Sequence, residues 1–182
     1  MRNLTLTTTS TSTISSAASC PTDLEGEYQF PHLIIPVNKS APNNAYGTSF
    51  FGKFTPEVSS IFNFDIPPSY AGMDCSLIFL FPEKSQLQTS TYEFSGPGII
   101  DVLQLNQIAD ESTTYSNVPS IQKNWGNITV APGHDYSIAT FACPADQAIA
   151  FELISEDGTS LSYFQDYNPP PIGLYISKCT ME

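Results

Sequence analysis

The sequence predicts an all-β protein, an antiparallel β-sandwich of the jelly-roll or immunoglobulin-like Greek-key kind, with almost no helix. Three observations lead there. About ten short runs of alternating or continuous apolar residues are spaced by Gly, Pro and Asn turns. The chain carries 15 prolines, which loops accommodate and helix or strand interiors do not. The stretch Ile61–Pro82, IFNFDIPPSYAGMDCSLIFLFP, holds two strand-like runs, Ile61–Ile66 and Met73–Phe81, around a turn. In the second run Cys75, Leu77, Phe79 and Phe81 point one way and Ile78 and Leu80 the other. Apolar residues on both faces mark a central strand covered from both sides. A closed barrel fits less well, and strand order stays open.

Taken in order, Glu27–Val37 reads as a first strand, interrupted by prolines that suit a sheet edge. Tyr46–Phe54 alternates aromatic and small residues around a glycine. After the central stretch, residues 82–90 form a loop and Thr91–Phe94 a short strand. Ser95-Gly96-Pro97-Gly98 turns the chain into Ile99–Leu105. The segment Gln107–Tyr115 is the one helix candidate, and residues 117–125 read as irregular before a brief strand at Ile128–Val130. Asp135–Cys143 and Ala148–Ile154 are strands. Glu156-Asp157-Gly158 is a hairpin turn into Ser160–Phe164. Three prolines, 169–171, stiffen the loop before a last strand at Ile172–Ser177. There is no internal repeat.

With 182 residues, 41% hydrophobic, the chain is long enough for one packed core. Charge is scarce and lopsided: 18 acidic residues against 6 basic ones, net −12, with Arg2 the sole arginine. Nucleic acid and anionic membrane surfaces would be repelled, and phosphate ligands would lack arginine forks. No run approaches the roughly 18 apolar residues of a membrane-spanning helix.

From Thr5 to Ser19, 11 of 15 residues are Ser or Thr. Such a segment cannot bury enough apolar area to offset its ordering entropy. Residues 1–19 therefore read as a disordered tether suited to O-glycosylation, and residues 20–182 as a single β-sandwich domain. Met1-Arg2-Asn3 has no apolar stretch behind it, so it is not a secretion signal as it stands; the expectation is a removed signal or the C-terminal part of a longer chain. The four cysteines, Cys20, Cys75, Cys143 and Cys179, have no CxxC spacing and no histidine cluster, which points away from zinc. Of three possible pairings the sequence favours Cys20–Cys179, tying the ends, and Cys75–Cys143, stapling strands. Sequons at Asn3, Asn38 and Asn127 fit the same oxidising compartment. Secretion or a cell-wall location is the expectation.

The ordered series HLIIPV (32–37), YGTSFFG (46–52), IFNFDIP (61–67), CSLIFLFP (75–82), TYEFSGPG (91–98) and FQDYNPPPIGLYISKC (164–179) resembles a fungal family, the C-terminal domain of the But-two protein, a binder of the ubiquitin-like activating subunit Uba-three. The likeness runs from about Leu33 to Cys179. It implies a secreted fungal domain on a Ser/Thr-rich tether and carries over no catalytic residue. The family name implies a protein-binding role.

Catalytic chemistry finds little footing. The histidines are His32, after Pro31, and His134, beside Asp135, and no G-x-S-x-G elbow is present. With all four cysteines paired no thiolate nucleophile remains. Carboxylates are plentiful (Asp65, Asp74, Glu83, Asp101, Asp135, Asp157, Asp166), but a glycosidase needs two facing each other about 5–9 Å apart, and calcium lacks its D-x-D-x-D-G loop. Asp65 shares a face with Asn63, opposite Phe62, Phe64 and Ile66; it is either a cap on the Pro67-Pro68-Ser69 turn or a ligand contact. Among the aromatics, Trp125 sits in the polar stretch KNWGN, and Tyr163, Phe164 and Tyr167 cluster near Asp166. Sugar rings stack on aromatic faces while carboxylates bind their hydroxyls, so Trp125, Tyr163, Asp166 and Tyr167 make a candidate glycan platform; the competing role for each is core packing.

The expected function is that of a non-enzymatic secreted or cell-wall module. It needs no cofactor, and its partner is a cell-wall polysaccharide or a host or fungal surface protein. Two alternatives stand beside it: a protein-binding module for the activating subunit, and a hydrolase. The first predicts exposed aromatics on one face, the second a contiguous exposed apolar patch, the third a cleft with paired carboxylates or a His beside a Ser.

Overall fold

The computed structural model describes residues 18–181. Strands follow in the order β1 Ala18–Ser19, β2 Tyr28–Gln29, β3 Leu33–Asn38, β4 Phe51–Phe54, β5 Val58–Ile66, β6 Asp74–Phe81, β7 Tyr92–Ser95, β8 Ile99–Leu105, β9 Ile121–Thr129, β10 His134–Ala142, β11 Gln147–Ser155, β12 Ser160–Phe164, β13 Gly173–Lys178 and β14 Thr180–Met181. They form three antiparallel sheets, ordered β3-β5-β11-β8-β9, β10-β6-β13-β2 and β4-β12-β7, and a ribbon of β1 with β14. The result is an all-β sandwich. Helical structure among the described residues is limited to 3-10 turns at Pro68–Tyr70, Lys84–Gln86 and Tyr115–Asn117.

Period-2 alternation explains the layers. One face of β5 (Phe62, Phe64, Ile66), of β8 (Ile100, Val102) and of β11 (Phe151, Leu153) packs against Cys75, Leu77, Phe79 and Phe81 of β6, Leu174 and Ile176 of β13, and Phe54, Leu161 and Tyr163 of the three-stranded sheet. As expected, β6 is central, flanked by β10 and β13. Its opposite face, Ile78 and Leu80, is buried too, with Tyr175 and the partly buried Leu24 and Tyr28 over it. Behind the five-stranded sheet, Ile35, Ile61, Leu105 and Ala150 are covered by Ala109 and Val118 of the connection between β8 and β9. Disulfides join Cys20 to Cys179 and Cys75 to Cys143.

Several expectations need correction. The Glu27–Val37 strand is two strands in different sheets: β2 pairs with β13 and β3 with β5. The change of sheet falls at Phe30-Pro31, where proline has no N–H to donate to a ladder. Only Phe51–Phe54 of the Tyr46–Phe54 run is strand. Gln107–Tyr115 forms no α-helix. Asp110 Oδ1 accepts from the Ser112 N–H (2.8 Å), and Thr113 Oγ1 accepts from the Asp110 N–H (2.9 Å); these local side-chain bonds hold turns in place of a helix. The irregular 117–125 segment is mostly strand, since β9 runs unbroken from Ile121 to Thr129. It is a polar edge strand with register shifts against β8, so it shows little apolar alternation. Glu156-Asp157-Gly158 is a tight turn with positive φ at Asp157 and Gly158, but not a hairpin: β11 and β12 lie in different sheets. Ala18 and Ser19, assigned to the tether, pair with Met181 and Thr180; the rest of the tether, with Asn3, lies outside the described residues.

Candidate functional site

Where the chain changes sheet at Phe30-Pro31-His32, it leaves an open cleft of about 500 Å³, lined also by Leu33, Ile34, Thr48, Ser49, Phe50, Gln165, Tyr167 and Tyr175. Backbone bonds set its walls. Ser49 N–H donates to Ile34 O (2.8 Å), Gln165 N–H to Phe50 O (3.0 Å) and His32 N–H to Asn63 O (3.0 Å). Gln165 holds Leu174 from both sides, its Nε2 donating to the carbonyl (3.0 Å) and its Oε1 accepting from the N–H (3.1 Å). The Tyr175 hydroxyl donates to Asp166 O (2.6 Å). Burial, then the charge of Asp166, pushes the Tyr175 phenol well above its ordinary range, so it stays a donor at any working pH.

Three aromatic side chains stand out of this frame. Phe50 is 78% exposed, Tyr167 55% and Phe30 53%. Phe30 and Tyr167 pack tilted at 31°, ring centroids 5.8 Å apart. Beside them the half-exposed Phe51 meets Phe164 edge-on at 5.6 Å. On the rim His32 Nδ1 lies 3.0 Å from Asp65 Oδ2, which orients the imidazole. The lining is mostly apolar, with the Thr48 and Ser49 hydroxyls and the His32 ring as polar contacts.

The residues singled out from the sequence are scattered. Tyr167 lines the cleft and is exposed. Asp65 is mostly exposed and paired with His32; the 3-10 turn at Pro68–Tyr70 has no side-chain cap, so the capping role is not the one it takes. Tyr163 is fully buried against Phe54 and Phe79, which removes it from any surface platform. Asp166 is buried as well: it accepts from Thr89 Oγ1 and from the N–H (3.0 Å) and Nδ2 (2.7 Å) of Asn168. It ties the proline loop instead of meeting a ligand. Trp125 lies elsewhere, half-buried on β9, with Nε1 donating to Gln104 Oε1 (3.2 Å), Lys123 Nζ 3.5 Å from the ring centroid and Phe141 6.0 Å away. Asn127 is exposed on the same edge strand. Asn38 is half-buried, its Nδ2 donating to the Tyr46 hydroxyl (3.4 Å). His134 Nδ1 lies 3.1 Å from the Pro132 carbonyl. Phe30 and Phe50 were not anticipated. The pair Phe50-Phe51 puts adjacent side chains on opposite sides of extended chain, but consecutive residues of β6 are buried on both faces, so no local signal marked Phe50 as exposed.

The model of the Ubiquitin 3 binding protein But2 C-terminal domain matches residues 29–169. The chain belongs to this family. The match takes in Phe30, His32, Phe50, Asp65 and Tyr167. Two uncharacterized but2-like proteins of Schizosaccharomyces pombe are similar to the chain. One is 28% identical over 162 residues, 85% of this chain and 34% of the relative; the other is 26% identical over 147 residues, 77% and 37%. The chain thus spans about a third of the length of these But2-like relatives. Two disulfides are compatible with an extracellular location, and among the described residues no helix is long and apolar enough to cross a membrane.

Proposed function

We propose that this But2 C-terminal domain is a non-enzymatic binding module, secreted or held at a cell wall, whose ligand lies in the Phe30–Phe50–Tyr167 cleft. The observation that carries the reading is the gathering of three large exposed aromatics around one concave, preformed site. Flat rings with a few hydroxyl contacts suit the apolar faces of sugar rings, so the ligand class is a cell-wall polysaccharide. The disulfides, the Ser/Thr-rich N-terminus and the sequons at Asn38 and Asn127 support the location. Among the described residues no Ser or Thr hydroxyl bonds to His32 or His134, which favours binding over hydrolysis.

The family description favours a second reading, in which the same apolar cleft takes a protein segment of the ubiquitin-like system. Against it, the compartments where such activation occurs keep thiols reduced. Immobilised cell-wall polysaccharides, presented to the oxidised domain, separate the two. The expected result is binding lost in Phe50→Ala and Tyr167→Ala and kept in Trp125→Ala. Silence of the folded wild-type domain on every polysaccharide would overturn the glycan reading.

A further inference from the structure

Of the sequons, those at Asn38 and Asn127 fall within the described residues, and Asn38 has the more elaborate surroundings. It ends β3, an edge strand of the five-stranded sheet. Its Oδ1 accepts from the Ser40 N–H (2.9 Å), an Asx turn that fixes the carboxamide. Its Nδ2, the atom to which a glycan is joined, donates to the Tyr46 hydroxyl (3.4 Å). Both residues line one open hollow of about 180 Å³, the size of a single sugar ring, whose other walls are Pro36, Val37, Lys53 and Val58. Tyr46 is 46% exposed, and Lys53 is exposed beside it. The sequon asparagine thus stands in the wall of a mostly apolar seat with its reactive nitrogen turned to an aromatic residue.

We propose that Asn38 carries an N-linked glycan whose first N-acetylglucosamine packs into this hollow on the Tyr46 ring, a modification that rests on the secretory location proposed above and becomes part of the folded domain. The donor is a lipid-diphosphate-linked oligosaccharide of the secretory route. The C1–Nδ2 bond forms and the C1–O bond to the diphosphate breaks. The diphosphate leaves with the electron pair, and Nδ2 gives up one of its two protons. Attachment takes place on the extended chain, and the fold then decides where the sugar rests. The apolar face of the pyranose meets the tyrosine ring and the Pro36 and Val58 side chains, which takes exposed apolar surface out of water. Lys53 supplies a donor for the acetamide carbonyl or a sugar hydroxyl. The sugar therefore stabilises the fold as well as marking its route.

The test uses the full chain secreted from yeast behind a cleavable leader. Peptide mapping is expected to find Asn38 occupied. In an Asn3→Gln, Asn127→Gln background, endoglycosidase H trims the remaining glycan to one N-acetylglucosamine. That form should unfold about 2–4 °C above the same background with Ser40→Ala, which removes the sequon and leaves the Asn38 side chain in place. The gap should vanish with Tyr46→Ala and persist with Tyr46→Phe. The Ser40 hydroxyl, which donates to Glu57, is lost equally in each comparison and cancels. An unmodified Asn38, equal unfolding temperatures, or a gap untouched by Tyr46→Ala overturns the proposal. An unmodified Asn38 beside a modified Asn127 leaves the secretory reading standing, whereas no modified sequon together with cysteines open to alkylation before reduction overturns that reading too.

Discussion

Asn63 holds Ala109 as a neighbouring strand would: its Nδ2 donates to the Ala109 carbonyl (2.7 Å) and its Oδ1 accepts from the Ala109 N–H (3.1 Å). Asn63 is itself buried in mid-strand on β5. The clamp seats the connection between β8 and β9 over Ile35, Ile61 and Ala150. Asn63→Ala strands two buried backbone groups, so it should destabilise the domain by about 2–3 kcal/mol. Chemical denaturation measures this, and the Ala109 amide should lose hydrogen-exchange protection. An unchanged midpoint would show that the clamp is idle.

Glu152 makes stability depend on pH with a defined sign. Its folded pKa is raised, burial outweighing the Ser59 bond. A raised carboxyl contributes stability that is full below the ordinary glutamic acid pKa and is lost as pH rises through the folded value. Around it in a separate cleft stand Lys39, Glu57, Tyr115, Glu156 and Asp157. Glu152→Gln should therefore unfold at a higher temperature than wild type above neutral pH. The gap should close below about pH 4. Parallel curves at all pH values would contradict this.

Tyr163 presses on Gly52, where an added methyl would overlap its ring. Gly52→Ala should cost about 1–3 kcal/mol by overpacking, whereas Gly26→Ala, with open space around it, should be near neutral. Among the described residues the buried Tyr163 hydroxyl has no hydrogen-bond partner. Tyr163→Phe should then be neutral or stabilise by about 1 kcal/mol. Paired denaturation curves decide both.

The two disulfides close loops with sequence separations of 159 and 68 residues, worth about 4–5 kcal/mol each in the chain-entropy model and less in practice. Intact mass after treatment with an alkylating agent should be unchanged without reductant and should rise by four adducts with it. Addition to two or more cysteines in the unreduced protein would remove the bridges and the argument for an oxidising compartment.

Much of the fold was legible locally. The two-faced apolar run at Met73–Phe81 marked the central strand, and Ile99–Leu105 and Ser160–Phe164 have the bounds that alternation assigns. The polar edge strand Ile121–Thr129 was not legible, because an exposed edge needs no apolar face. Of the residues singled out from the sequence, Tyr167 lines the cleft and Asp65 pairs with His32 on its rim. Tyr163 and Asp166 were not separable from surface residues, because nothing local distinguishes a tyrosine pointing inward from one pointing outward until the register is set.

By itself the sequence determined the strands with strong alternation, the absence of long helices, the acidic charge and the cysteine supply, since each depends on a few neighbouring residues or on composition. The tertiary structure alone decided that the chain changes sheet at Pro31, that Asp157-Gly158 turns between sheets, and that Phe30, Phe50 and Tyr167 meet around one cleft. It also buried Glu152 beside Ser59, 93 residues away in sequence. These relations join residues far apart in the chain, and their energies come from cross-strand pairing and burial, which no local pattern encodes.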